Sequence, residues 1–115
     1  MSWITLRNTD WETEVTKSQT PVVVEFWHQN CPTCKKIEPA ANQLPTTLSG
    51  KAKFARLNVL ESRENRRLAI DKGVIGTPTF KVYCNGVEKG EVVGLETLNN
   101  LEGSIKNLIE ECAIG

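Results

Sequence analysis

The chain has 115 residues, 39% of them apolar and 24% charged, and its fourteen basic side chains balance fourteen acidic ones. This length and balance suit one ordinary soluble globular domain, residues 1–115, large enough to bury a core without disulfide or metal staples. They exclude a disordered or low-complexity chain, a strongly basic nucleic-acid binder, and a membrane protein built on spans of roughly 20 apolar residues.

Residues 1–10 lack a charged stretch followed by an apolar one, so no signal peptide is expected and the cytoplasm is the expected location. Ile4–Leu6 reads as a short strand. Thr9 and Glu12 have the spacing of a capping box, predicting a helix from there to about Lys17. Pro21 introduces Val22-Val23-Val24-Glu25-Phe26-Trp27, apolar on both alternating faces and therefore a central strand of a parallel sheet. Helix formers run from Lys35 to about Leu48, with Pro39 inside the helix as a kink. Phe54–Val59 is the next strand, and Ser62 caps a helix through Ile70 that Gly73 stops. Arg63, Arg66 and Arg67 alternate with Glu61 and Glu64, as on a solvated helix face. Phe80–Cys84 and Glu88–Val93 flank Asn85-Gly86, a hairpin signal. Leu98, Leu101, Ile105, Leu108, Ile109 and Cys112 form one face of a final helix. The order βαβαβαββα implies an α/β fold with a mixed sheet covered on both faces.

Chemistry concentrates in Cys31-Pro32-Thr33-Cys34. The pair follows a buried-type strand and opens a helix, where unpaired N–H groups and the positive end of the macrodipole stabilise a thiolate. The thiolate is the nucleophile, so Cys31 reads as an exposed attacking thiol and Cys34, one turn along, as a less accessible resolving thiol. A zinc knuckle is the rival reading, but Cys84, Cys112 and His28 offer no second knuckle, and no metal is expected.

Trp27-His28-Gln29-Asn30-Cys31-Pro32-Thr33-Cys34-Lys35, Pro39, and Gly76-Thr77-Pro78-Thr79 resemble the thioredoxin family, and Asn85-Gly86 and Gly94 agree with it. The resemblance spans essentially the whole chain. It implies the thioredoxin fold, a five-stranded mixed sheet flanked by four helices. It further implies a protein-disulfide reductase that works without cofactor as a monomer. Its partners would be disulfide-containing proteins and a thioredoxin-reductase-type enzyme, with no nucleic acid and no membrane.

Several residues change meaning under that resemblance. By frequency alone Pro78 is trans, since only about 5–6% of X–Pro bonds are cis; the family's equivalent proline is cis and faces the sulfurs. Thr77 would then offer its backbone to an extended substrate peptide. Glu25 is either a strand-end residue reaching water or, as the family's buried acid implies, the proton acceptor and donor for Cys34. The family usually has aspartate there, and Arg56, matching a family lysine, is placed to pair with it. Trp27 is either ordinary core or, by resemblance, a surface residue beside the disulfide. His28 reads as a surface residue rather than a thiolate-stabilising cation.

Two departures bear on substrate choice: Pro32-Thr33 stands where the family has Gly-Pro, and Asn30 replaces a tryptophan. A proline-first pair also resembles glutaredoxins, leaving a glutathione-coupled reductase as one alternative and a non-catalytic binding module as another. Cys84 and Cys112 read as buried structural thiols; both fall near the end opposite the active site, but a second disulfide is disfavoured in a cytosolic chain.

Overall fold

The computed structural model describes residues 3–94 and 97–114. Five strands form one sheet in the order β1-β3-β2-β4-β5: β1 Ile4–Leu6, β2 Val22–Trp27, β3 Lys53–Asn58, β4 Thr79–Cys84 and β5 Val87–Val93. β1 and β2 run parallel to β3, β4 is antiparallel to β2, and β5 is antiparallel to β4. Among the described residues there are three α-helices: α1 Pro32–Thr47, α2 Arg63–Asp71 and α3 Leu98–Ile114. The expected thioredoxin fold is therefore present, its fourth helix being the short segment before β2.

That segment differs from the predicted helix. It begins earlier, as a 3-10 turn over Asn8–Asp10, and continues as a wider π-type turn over Glu12–Thr16. The Asp10 carboxylate accepts the Arg7 backbone N–H at 3.0 Å. The first turn is thus closed by Asp10 rather than by the Thr9–Glu12 pair, because the chain has already turned when it reaches Thr9. Leu98, assigned above to the apolar face of the last helix, has a side chain that lies outside the described residues.

Strand alternation sorts the core into two layers. Val23, Phe54, Phe80, Val82 and Val92 face α1 and α3, meeting Ile37, Ala41, Leu44, Leu101, Ile105 and Ile109. Val22, Val24, Phe26, Ala55, Leu57 and Tyr83 face the other way, onto Trp11, Val15 and Ala69. Every residue from Val22 to Phe26 is buried, as a central strand covered on both faces requires. Glu25 is two residues from Val23 and so points at α1. α1 runs unbroken through Pro39 and also Pro45, its apolar residues holding it on the sheet where the ladder lacks two N–H donors.

The hairpin turns on Asn85 (φ 52°) and Gly86 (φ 81°), the paired positive dihedrals of a tight primed turn. Gly86 is needed for a second reason: a Cβ there would lie 3.0 Å from the Thr16 carbonyl oxygen and 3.1 Å from its Cα.

Cys84 and Cys112 correct an expectation. The structure joins them in a disulfide, with Cα atoms 5.6 Å apart. Cys84 is the last residue of β4, and α3 crosses that strand end with Ile109 and Cys112 turned inward. Proximity is therefore set by tertiary packing, which an argument from compartment alone does not register.

Candidate active site

β2 delivers the chain to one end of the sheet at Trp27, and a short turn leads into α1, for which Cys31 is the N-cap (φ −99°, ψ 107°). Pro32 holds the first helical position, where its missing N–H leaves nothing unpaired and its fixed φ suits the helix. The Cys31 sulfur accepts the Cys34 backbone N–H at 3.0 Å. A disulfide joins the two residues, whose Cα atoms are 5.2 Å apart, a separation that needs no backbone movement to bridge.

Exposure does not distinguish the two sulfurs as expected. Cys31 is 4% exposed and Cys34 6%, so in the disulfide form both are covered. The capping sulfur folds back over the first turn, and that same contact covers it. What separates them is electrostatic: Cys31 caps the helix and is the sulfur that receives an N–H.

Glu25 is only 3% exposed, and its Oε1 accepts from Arg56 Nε at 2.6 Å. The register explains the pair, because Glu25 and Arg56 are directly opposed across parallel β2 and β3 and share a face. Arg56 Nη2 also donates to Asn42 Oδ1 at 2.7 Å, and the guanidinium lies 4.7 Å from the centre of the Trp3 ring. Trp3 is itself fixed by a 2.9 Å hydrogen bond from Nε1 to the Ala41 carbonyl. Burial pushes the Glu25 carboxyl above the ordinary range and Glu38 adds to that, while the charge and hydrogen bond of Arg56 oppose it without cancelling it.

Glu25, Trp27, Cys34, Glu38 and Arg56 wall one cavity of about 190 Å³, with His28, Gln29 and Lys35 at its rim. The structure thus gathers the buried acid and Cys34 around a single space. On the other side of His28 lies a cleft of about 310 Å³ lined by Val59, Leu60, Arg66, Ile70, Ile75 and Thr77, among others. Ile75 is fully exposed there, and Leu60 and Ile70 are largely so.

Pro32 is exposed and Thr33 half-buried on the first turn of α1. The Thr77–Pro78 peptide bond is cis, and Pro78 is buried just ahead of β4. Its carbonyl accepts the Gly94 N–H at 3.0 Å, while the Thr79 hydroxyl donates to the Gly76 carbonyl at 2.6 Å. Pro78 lines neither of the two cavities around His28. His28 accepts the Asn30 N–H at Nδ1, 3.1 Å away, so a neutral ring carries its proton on Nε2.

Residues not singled out in the sequence also belong to this region. Trp3, Asn42 and Glu38 shape the surroundings of Glu25, and Leu60, Ile70 and Ile75 supply the apolar cleft. None has a local signature; only the register of β3 and the packing of α1 and α2 bring them here. Among the described residues no group of three or more His, Cys, Asp or Glu is arranged to hold a metal ion.

The sequence model of the family described as Thioredoxin matches residues 2–107. Similar proteins include Thioredoxin M4, chloroplastic, of Arabidopsis thaliana, 33% identical over 92% of this chain and 53% of its own length. Thioredoxin of Rickettsia felis is 33% identical over 76% of this chain and 81% of its own length. Thioredoxin of Rickettsia bellii is 34% identical, covering 85% of this chain and 90% of its own length. This chain spans about half the length of the plant relatives and most of the length of the rickettsial ones.

Proposed function

This chain belongs to the thioredoxin family, and from that premise we propose that it is a thiol–disulfide oxidoreductase, a protein-disulfide reductase of the thioredoxin type acting as one monomeric domain. The observation that carries the proposal is the Cys31–Cys34 pair at the N-terminus of α1, with the Cys31 sulfur receiving the Cys34 N–H.

In the working cycle the Cys31 thiolate attacks one sulfur of a substrate disulfide. The other substrate sulfur leaves as a thiolate and takes up a proton, and a mixed disulfide remains on Cys31. Cys34 loses its proton to the Glu25 carboxylate, across the cavity they share, and attacks the Cys31 sulfur. The substrate leaves reduced by two electrons and Cys31–Cys34 is left oxidised. A reductase of the thioredoxin-reductase class returns it to the dithiol, and the scheme needs no metal or organic cofactor. We assign the substrate-facing surface to Trp27, Pro32, Thr33, Thr77 and cis Pro78, together with the apolar cleft beside His28 that Thr77 helps to line. We assign the cytoplasm as the working compartment, where such a reductase keeps a dithiol reduced; the chloroplastic relatives make a plastid the alternative to test by fractionation.

The test is reduction of a protein disulfide such as insulin, driven either by a thioredoxin reductase with NADPH or by glutathione with its reductase. Sustained turnover in the first system, with a Cys34→Ser chain arrested as a mixed disulfide on Cys31, is the expected result. Turnover with glutathione alone moves the protein to the glutaredoxin type. No turnover in either system refutes the enzyme assignment.

A further inference from the structure

We propose that Cys84 and Cys112 form a second, separate redox couple, a latch between the end of β4 and α3 that small disulfides of the glutathione type close and open. The Cα separation of 5.6 Å lies in the middle of the range that disulfides adopt, so the two backbones stand at bridging distance. The pair is also reachable. Cys84 is 7% exposed and Cys112 half-buried, and both open on a cleft of about 350 Å³ lined by Gln19, Thr20, Pro21, Lys51 and Glu110. That cleft opens both sulfurs to a small-molecule disulfide arriving from solution.

The active site is not the oxidant of this pair within one chain. β4 runs from Thr79, beside cis Pro78, to Cys84, and its five steps at about 3.4 Å separate the two ends by roughly 17 Å. Direct exchange between the couples is out of reach, so electrons leave the second pair to a molecule from solution. Exposure then assigns the order. The Cys112 thiolate attacks glutathione disulfide, one glutathione leaves as a thiol, and Cys112 carries the other. Cys84 attacks the Cys112 sulfur, the second glutathione leaves, and the Cys84–Cys112 bond forms. Two thiols become one disulfide, and the two electrons and two protons end on two glutathione molecules. The chemistry touches no group used in the catalytic cycle.

The test uses the full chain with Cys31→Ser and Cys34→Ser, so that only the second pair remains, beside the wild-type chain. Each is equilibrated across a range of reduced to oxidised glutathione, quenched with a maleimide, weighed and peptide-mapped. In the variant the expected result is two modified thiols at the reducing end and none at the oxidising end; in the wild type, four and none. A single peptide pair links Cys84 to Cys112, and the thermal midpoint of the oxidised form is higher by roughly 10 °C. Adding Cys84→Ser should leave one glutathione held on Cys112. The inference is overturned if both thiols stay modifiable throughout in wild type and variant alike, if glutathione persists on Cys112 with Cys84 present, or if the bond forms only between two chains.

Discussion

Replacing Glu25 by glutamine tests the proton path with two measurements of opposite sign. Glutamine keeps the shape and can still accept from Arg56, but it cannot take the Cys34 proton. A thiol of ordinary acidity, pKa about 8.5, is only about 3% ionised at pH 7. Without its base the resolving step should fall about 30-fold at that pH, and recover about tenfold per pH unit until the thiol ionises unaided. Rapid mixing of reduced protein with insulin, acid quenching and mass measurement would show the mixed disulfide on Cys31 accumulating in the variant. Stability should move the other way. Burial raises the Glu25 carboxyl in the folded state. Its contribution is therefore fully present below about pH 4.3 and is lost as pH rises through the folded-state value, each unit of elevation being about 1.4 kcal/mol. Glutamine avoids that loss, while Arg56 keeps Asn42 and the Trp3 ring as partners. The variant should unfold at a higher temperature than wild type at pH 7, the gap closing near pH 4. An unchanged pH–rate profile with no accumulated mixed disulfide would refute the role of Glu25; a less stable variant at pH 7 would refute the account of its burial.

Arg56→Ala leaves the buried carboxylate without its counter-charge and should cost about 2–3 kcal/mol at pH 7, less than the about 3–5 kcal/mol of a fully buried pair because Arg56 is a quarter exposed; urea midpoints should show the loss shrinking below pH 5. Gly86→Ala puts a Cβ on a positive-φ residue against the Thr16 backbone, and thermal or urea unfolding should register about 1–3 kcal/mol of destabilisation. Burial lowers the Lys81 ammonium, but its hydrogen bonds to Glu91 and Glu88 outweigh that and hold it above the ordinary lysine range. Its contribution is then present below about pH 10.4 and lost above, and Lys81→Met should flatten the alkaline limb of the stability curve measured by denaturant titration.

Much of the fold is legible along the chain because its signals are local. A run of buried-type residues marks β2, Ser62 caps α2 by accepting the Asn65 N–H at 3.0 Å, and Asn85-Gly86 turns the hairpin. The cysteine pair is legible for the same reason, since the strand before it and the helix after it define its environment within a dozen residues. The N-terminal helical segment was less so: Thr9 and Glu12 have the capping spacing, but Asp10 closes the turn on Arg7. A spacing admits several partners, and three-dimensional packing selects among them.

The sequence alone therefore determines a strand–CxxC–helix redox centre in an α/β chain, because dipole, cap and period all act over a few residues. Only the tertiary structure decides which distant groups meet. The β2–β3 register sets Arg56 against Glu25, the packed fold buries both Cys31 and Cys34, and the crossing of α3 over β4 brings Cys112 to Cys84, 28 residues away. Those contacts are fixed by how helices and strands pack against one another, a property of the whole chain that no short stretch of it encodes.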